Sequence, residues 1–381
     1  ATAAYWRMLD GLDDDESKAA EELADQLAGL EDRYLYTVSR EDDLAALDAD
    51  RAYDRYGPYL LPRIKGVFAL HQLRLLLGND VFFEVMRTAH ERYRNREMTT
   101  AQFVSVADEV SGQSVDGFIR QWLERKGLPQ PRPSVEVAKA RGGGWDLKID
   151  VAQDGDEYQF VTHVEVEAGG ERTLHKVQIA GKRGIALHFD EKPTRVVFDA
   201  LHDIPVAHDN FYVWQNFIDE FHDTLIVYGT ARQIEANHTM ARRWQEETAD
   251  TYIEILPPLV KDAEMTEEQA ATHDLMVMGT LADNYFFGHM PENIPVQFGR
   301  NHFEWMGETY GDIDDGLLHV VPTPRNPERL MYVIAANTGL QLFDMTEKYQ
   351  RGIPQWARYK GGEIVDQGYF DRPGFVIEVG D

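Results

Sequence analysis

The stretch KGLPQPRPSVEV, residues 126–137, is where the chain changes its period. Lys126-Gly127 is a helix-stop signal, because glycine accepts the left-handed conformation that closes a last turn. Pro129, Pro131 and Pro133 then remove backbone donors at alternate positions, so the segment reads as a linker. Beyond it, Val135-Glu136-Val137 begins an alternation of apolar and polar residues, the pattern of a half-buried strand. The two sides of this stretch therefore belong to different secondary structure.

Upstream, residues 1–130 read as a helical domain. Val67, Leu70, Leu73 and Leu77, then Phe82, Val85 and Met86, recur at helical spacing. Gly78-Asn79-Asp80 separates two helices, with Asp80 expected as an N-cap. Asp13, Asp14, Asp15 and Glu16 cap and charge the start of another, and Thr99-Thr100-Ala101-Gln102-Phe103 is a further capped start. Downstream, residues 134–205 read as a small β-sandwich. Trp145–Ile149 and Phe160–Val166 alternate, and Asp154-Gly155 and Gly169-Gly170 are placed as hairpin turns. Residues 220–381 change again. Thr224–Tyr228 and Asp274–Met278 are nearly continuous apolar runs, each followed by Gly-Thr, with a helix between them. Leu317–Val321 and Met331–Ala336 are further strands, and Gly339–Tyr349 is a helix. The whole reads as a multidomain α and β chain: a helical domain, a β-sandwich, and an open α/β, Rossmann-like sheet domain.

Composition excludes several function classes. The chain has 381 residues, with 66 acidic against 38 basic and a net charge of −28, the wrong sign for binding nucleic-acid phosphates. There is no cysteine, so disulfides, thiolate metal sites and a cysteine nucleophile are absent. Residues 135–381 hold no serine, which removes Ser-His-Asp chemistry from the C-terminal two thirds. No apolar run is long enough for a membrane helix and no signal-peptide pattern opens the chain, so a soluble protein is expected.

Metal motifs are equally sparse. None of the 13 histidines pairs at i, i+4, so HExxH is missing. His90-Glu91-Arg92-Tyr93-Arg94 has arginine where a second ligand belongs. His202, His208 and His222 match no zinc spacing. Asp312, Asp314 and Asp315 before Gly316 lack the distal glutamate of a calcium loop and read as a polar turn. No metal site and no resident cofactor is expected in this chain. The two strand–Gly-Thr junctions are the better candidates. Ligands of open α/β sheets bind outside the carboxyl ends of strands, so Gly229, Thr230, Gly279, Thr280 and Asn284, with Asp283, are candidate ligand-binding residues.

Residues 56 to about 137 carry an ordered set of motifs. Ile64-Lys65-Gly66 comes first, in a helix with Leu70 and Leu73. Leu77-Gly78-Asn79, Phe82 and Tyr93 come next, then Thr99-Thr100 with Gln102-Phe103, Val110-Ser111-Gly112, Phe118, Gln121-Trp122-Leu123 and Gly127-Leu128-Pro129. This order resembles the segment C-terminal to the zinc site in M1-family gluzincin aminopeptidases, and the β-rich segment after it fits the same architecture. The resemblance implies the C-terminal portion of a zinc metallopeptidase, with Ala3-Ala4-Tyr5-Trp6 similar to the residues just after the family's last zinc ligand. It implies zinc and a peptide substrate for the parent enzyme only. The family's oxyanion-stabilising tyrosine, two residues before the lysine, is replaced by Arg63, and Tyr59 one helical turn earlier is the candidate substitute. The alternative is a complete, non-catalytic protein that binds a small ligand or partner through residues 220–381.

Overall fold

The computed structural model describes residues 1–49, 56–181, 184–208, 211–218, 221–252, 256–290, 294–347 and 352–380. The expected boundary at residue 220, the expected helix end at Tyr349 and the terminal residue 381 lie outside the described residues. The chain divides into two compact units, residues 1–211 with 371–381, and residues 212–370.

The first unit begins with six helices: α1 (Thr2–Asp10), α2 (Glu16–Val38), α3 (Tyr56–Leu77), α4 (Asn79–Tyr93), α5 (Thr100–Ser111) and α6 (Asp116–Glu124). The starts obey local chemistry. The Asp15 carboxylate accepts the Ser17 and Lys18 amides at the head of α2. Thr99 and Gln102 form a reciprocal capping box on α5, which closes on Gly112 in the left-handed region. The cap of α4 is a correction: Gly78 holds that position, and Asp80 lies in the first turn, where its charge favours the positive end of the helix. α3 is apolar nearly all round because it is central. It touches α1, α2, α4, α6 and a strand, and buries Leu61, Ile64, Val67, Phe68 and Leu73.

Six strands come after the helices: β1 (Pro131–Lys139), β2 (Trp145–Gln153), β3 (Phe160–Ala168), β4 (Glu171–Ile179), β5 (Ile185–Phe189) and β6 (Pro193–Phe198). They form two sheets, β1-β2-β5 and, with the C-terminal strand Val376–Glu378 at one edge, a four-stranded sheet in which β3 lies between β6 and β4. Leu147 and Ile149 of the first sheet share a core with Val164, Val166, Val177, Val196 and Phe198 of the second. Two expectations change. Pro131 and Pro133 belong to β1 rather than to a linker, tolerated because β1 is an edge strand with a free side. Asp154-Gly155 does not close a hairpin, since β2 and β3 lie in different sheets; Gly169-Gly170 does, between Ala168 and Glu171.

The second unit holds β7 (Thr224–Tyr228), α7 (Ile234–Tyr252), β8 (Leu259–Lys261), α8 (Glu267–Thr272), β9 (Asp274–Thr280), β10 (Val296–Phe298), β11 (Phe303–Trp305), β12 (Glu308–Tyr310), β13 (Asp315–Thr323), β14 (Asn326–Ala336), α9 (Gly339–Met345), β15 (Trp356–Lys360) and β16 (Glu363–Gly368). Seven strands make one sheet in the order β16-β15-β13-β14-β9-β7-β8. Met276 and Met278 point to one covered face with Trp214, Trp244 and Tyr332, while Leu275 and Val277 point to the other with Phe303 and Trp305. Burial on both faces explains the unbroken apolar runs.

The sheet is mixed. β14, β9, β7 and β8 are parallel; β13, β15 and β16 join antiparallel. Only a turn at Thr323–Asn326 separates β13 from β14, with the Thr323 hydroxyl bound to the Asn326 backbone. A parallel crossover needs about a dozen residues or more.

Candidate functional site

Among the described residues, a dense group of buried ionisable side chains lies in the first unit, at positions that no sequence motif marks. His71 on α3 is fully packed, and its Nε2 lies 2.9 Å from Asp203 Oδ1. His163 on β3 brings Nδ1 within 2.8 Å of Asp203 Oδ2, and its backbone N–H donates to the same oxygen. An ionised carboxylate only accepts, so both imidazoles donate to it. That leaves His71 Nδ1 to accept from the Tyr5 hydroxyl at 2.9 Å, which ties α1 to α3. Burial alone would raise Asp203; the hydrogen bonds from His163 and His71 outweigh it and hold the carboxyl well below its usual range.

Asp203 continues into a second cluster. Its amide donates to Asp199 Oδ1 at 2.9 Å, and the Thr162 hydroxyl also donates to Asp199. Arg372, from the C-terminal segment, binds Asp199 with one guanidinium nitrogen and Glu31 of α2 with another. His208 Nε2 reaches Glu31 at 3.2 Å. Burial would raise Glu31, but Arg372, with help from His202 and His208, takes it well below the usual carboxylate range. Asp199 goes the other way: burial pushes it up against the pull of Arg372. Asp199 and His202 both have left-handed backbone, with φ of 55° and 52°, conformations unfavourable for non-glycine residues. The network around Arg372 and Asp203 holds them there.

His163 also lines a cavity of about 460 Å³ with His71, Arg74, Lys176, Glu16 and Leu174. A more apolar cavity of about 570 Å³ lies along α3, α4 and α5, with Leu70, Leu73, Met86 and Phe103 inside and His90 and Arg94 on its wall.

Tyr59 and the Gly-Thr junction residues lie outside these clusters. Tyr59 is exposed on α3, where Arg63 donates to its hydroxyl and lies over its ring at 4.9 Å. In the second unit the two Gly-Thr junctions do come together. Gly229 N–H donates to Met278 O, and the Asn284 amide donates to Val227 O and Met278 O at 3.2 and 3.1 Å. Thr280 donates to Asp283, and Thr230 donates to Asp262. A side chain on Gly229 would meet the Asp283 carbonyl oxygen at 2.5 Å, so this glycine admits the chain's own loop. Gly279 pairs with Ala335 of β14. Asp312, Asp314 and Asp315 do converge, and they converge on Lys360, whose ammonium lies 2.7, 3.2 and 3.2 Å from them. His202 and His208 belong to the Glu31 cluster of the first unit, whereas His222 is in the second and pairs with Asp223, at 3.7 Å.

No family model and no curated protein matches the chain. Among solved structures, the crystal structure of Legionella pneumophila aminopeptidase A in complex with aspartic acid is similar over 53% of this chain, at 15% identity and a TM-score of 0.34. The match spans 24% of that protein, about a quarter of its length. Likeness at that level carries no argument about activity.

Proposed function

We propose that the chain is the C-terminal portion of an M1-like zinc aminopeptidase and is not catalytic by itself. The observation that carries the reading is the Lys65-Gly66 pair with which the resemblance begins. Lys65 Nζ, buried on α3, donates to Leu44 O at 2.9 Å and Arg125 O at 3.0 Å. Gly66 leaves room for Ala1, which a side chain there would meet at 2.5 Å. The remaining motifs have similar duties: Thr99 and Gln102 cap α5, and Trp122 lies 5.2 Å from Tyr158, ring to ring, and joins the sandwich core. These positions hold α1, α3 and α6 in register with the sheets, which is the work such a segment would do beside a metal centre.

The residues present do not fit a catalytic zinc. His71 and His163 are committed to Asp203, and His202 and His208 to Glu31. Among the described residues the only three-carboxylate group holds Lys360. A zinc peptidase needs three protein ligands and an open position. On this reading peptide substrate and zinc belong to the parent enzyme, with Tyr59 as its oxyanion tyrosine. The test is hydrolysis of aminoacyl-p-nitroanilides by the 381-residue chain with and without added zinc. The expected result is no zinc-dependent turnover. Aminopeptidase activity appearing with zinc would overturn the proposal.

A further inference from the structure

We propose that the cavity between α2, α3 and the β3–β4 hairpin is a binding site for a small organic carboxylate with a branched aliphatic tail, received by Arg74, Lys176 and His163. The inference stands on the first unit alone and does not depend on the peptidase reading.

The polar wall is built, not incidental. Asp203, buried to 2%, fixes His163 through both its ring Nδ1 and its backbone N–H. That leaves Nε2 as the ring nitrogen without a hydrogen-bond partner among the described residues, on a side chain 18% exposed at the cavity. Lys176 is the residue directly opposite His163 in the β3–β4 ladder, so the two side chains rise together on one face. Arg74 completes the set from α3.

Charge supplies the second argument. In a chain with 66 acidic and 38 basic residues, cations ordinarily find carboxylates. Here Arg74 binds only neutral acceptors, Asn79 Oδ1 at 2.8 Å and Tyr5 OH at 3.3 Å, and Lys176 only the Leu75 carbonyl at 3.3 Å, among the described residues. Glu16 shares the cavity but is bonded to neither among the described residues. Two cations with no anion bonded to them among the described residues face one concavity beside an oriented imidazole. A carboxylate offers the planar pair of oxygens that a guanidinium fork recognises.

The rest of the wall sets the tail. Leu12, Leu23, Leu75, Leu174 and Leu201 line the same space. A volume of about 460 Å³ lies in the range of small-molecule sites and suits a short branched chain.

The probe is 4-methylpentanoate, titrated into the full chain while the histidine ring Cε1–H resonances are followed by NMR, with sodium chloride at matched ionic strength as the control. The His163 resonance is assigned by its loss in His163→Gln. The expected result is a saturable shift of that resonance with 4-methylpentanoate and none with chloride. Lys176→Met, at an exposed position, and Arg74→Met each weaken the Kd at least tenfold, with the resonance of His188, which bonds Asp146 in the other sheet, unmoved as evidence of an intact fold. No saturable shift, or an unchanged Kd in Lys176→Met, would overturn the proposal. So would saturation by inorganic phosphate alone, which would make the site one for a bare anion.

Discussion

Replacing Arg372 with methionine tests whether the buried network holds the first unit together. Arg372 is 6% exposed and is the shared cation of two buried carboxylates, Glu31 at 1% and Asp199 at 3%. Methionine keeps much of the volume and removes the charge. Glu31 and Asp199 are then left without their counter-ion, a loss of about 3–5 kcal/mol for a broken buried pair. The return of the C-terminal strand to β6 is weakened with it, because Arg372 lies four residues before Val376. Native-state hydrogen exchange of amides in α2, β6 and the C-terminal strand reads this unit by itself. Their opening free energies should fall by about 3–5 kcal/mol in Arg372→Met. The triple variant Glu31→Gln, Asp199→Asn, Arg372→Met removes all three charges and should recover at least half of that loss, since a buried ionic group replaced whole is often near neutral. A single-variant loss below about 1 kcal/mol, or a triple variant no better than the single, would refute the reasoning.

Three further outcomes are expected from the same structure. His319 on β13 is fully buried between Phe298 and Trp305 with no hydrogen-bond partner on either nitrogen among the described residues, and burial takes it from 6.5 down to about 3. Its folded-state value is depressed, so the stability it permits is present above pH 6.5 and is lost as pH falls toward 3, on the order of 5 kcal/mol in all; His319→Leu should flatten this slope in urea unfolding of the second unit, and an unchanged slope would contradict it. Gly229→Ala forces a side-chain carbon to within 2.5 Å of the Asp283 carbonyl oxygen and should cost about 1–3 kcal/mol by the same assay, whereas a neutral effect would mean the loop can move aside freely. Lys360→Met removes the ammonium from Asp312, Asp314 and Asp315, and calorimetry should detect calcium binding in the variant and none in the unaltered protein; equal binding by both would show that Lys360 does not fill the site.

Much of the framework was legible because it is written locally. Asp15, Thr99-Gln102 and Gly112 announce helix ends, and the change of period at residues 126–137 separates helices from strands. The illegible part depends on partners far apart in sequence. Arg372 and Glu31 are 341 positions apart, and His71 and Asp203 are 132 apart. No spacing rule joins them, and His163 looks like one polar member of an alternating strand until its register with Lys176 is known. The mixed second sheet was hidden for a subtler reason. Strand content is plain at Leu317–Val321 and Met331–Ala336, but apolar runs such as β7 and β9 say nothing of the direction of other strands, and the short connection between β13 and β14 forces an antiparallel pair. The Gly-Thr junctions lie at strand ends as the sequence places them, yet sequence cannot say that Thr230 donates to Asp262 and Thr280 to Asp283, or that Asn284 donates to the strand carbonyls of Val227 and Met278.

The role proposed for the chain is that of the C-terminal portion of a larger metallopeptidase. Its most direct test is the size of the native polypeptide in its source cells, detected with an antibody to residues 212–370. The account predicts a band well above the 43.6 kDa of this chain, carrying HExxH upstream. A single band at 43.6 kDa would contradict it.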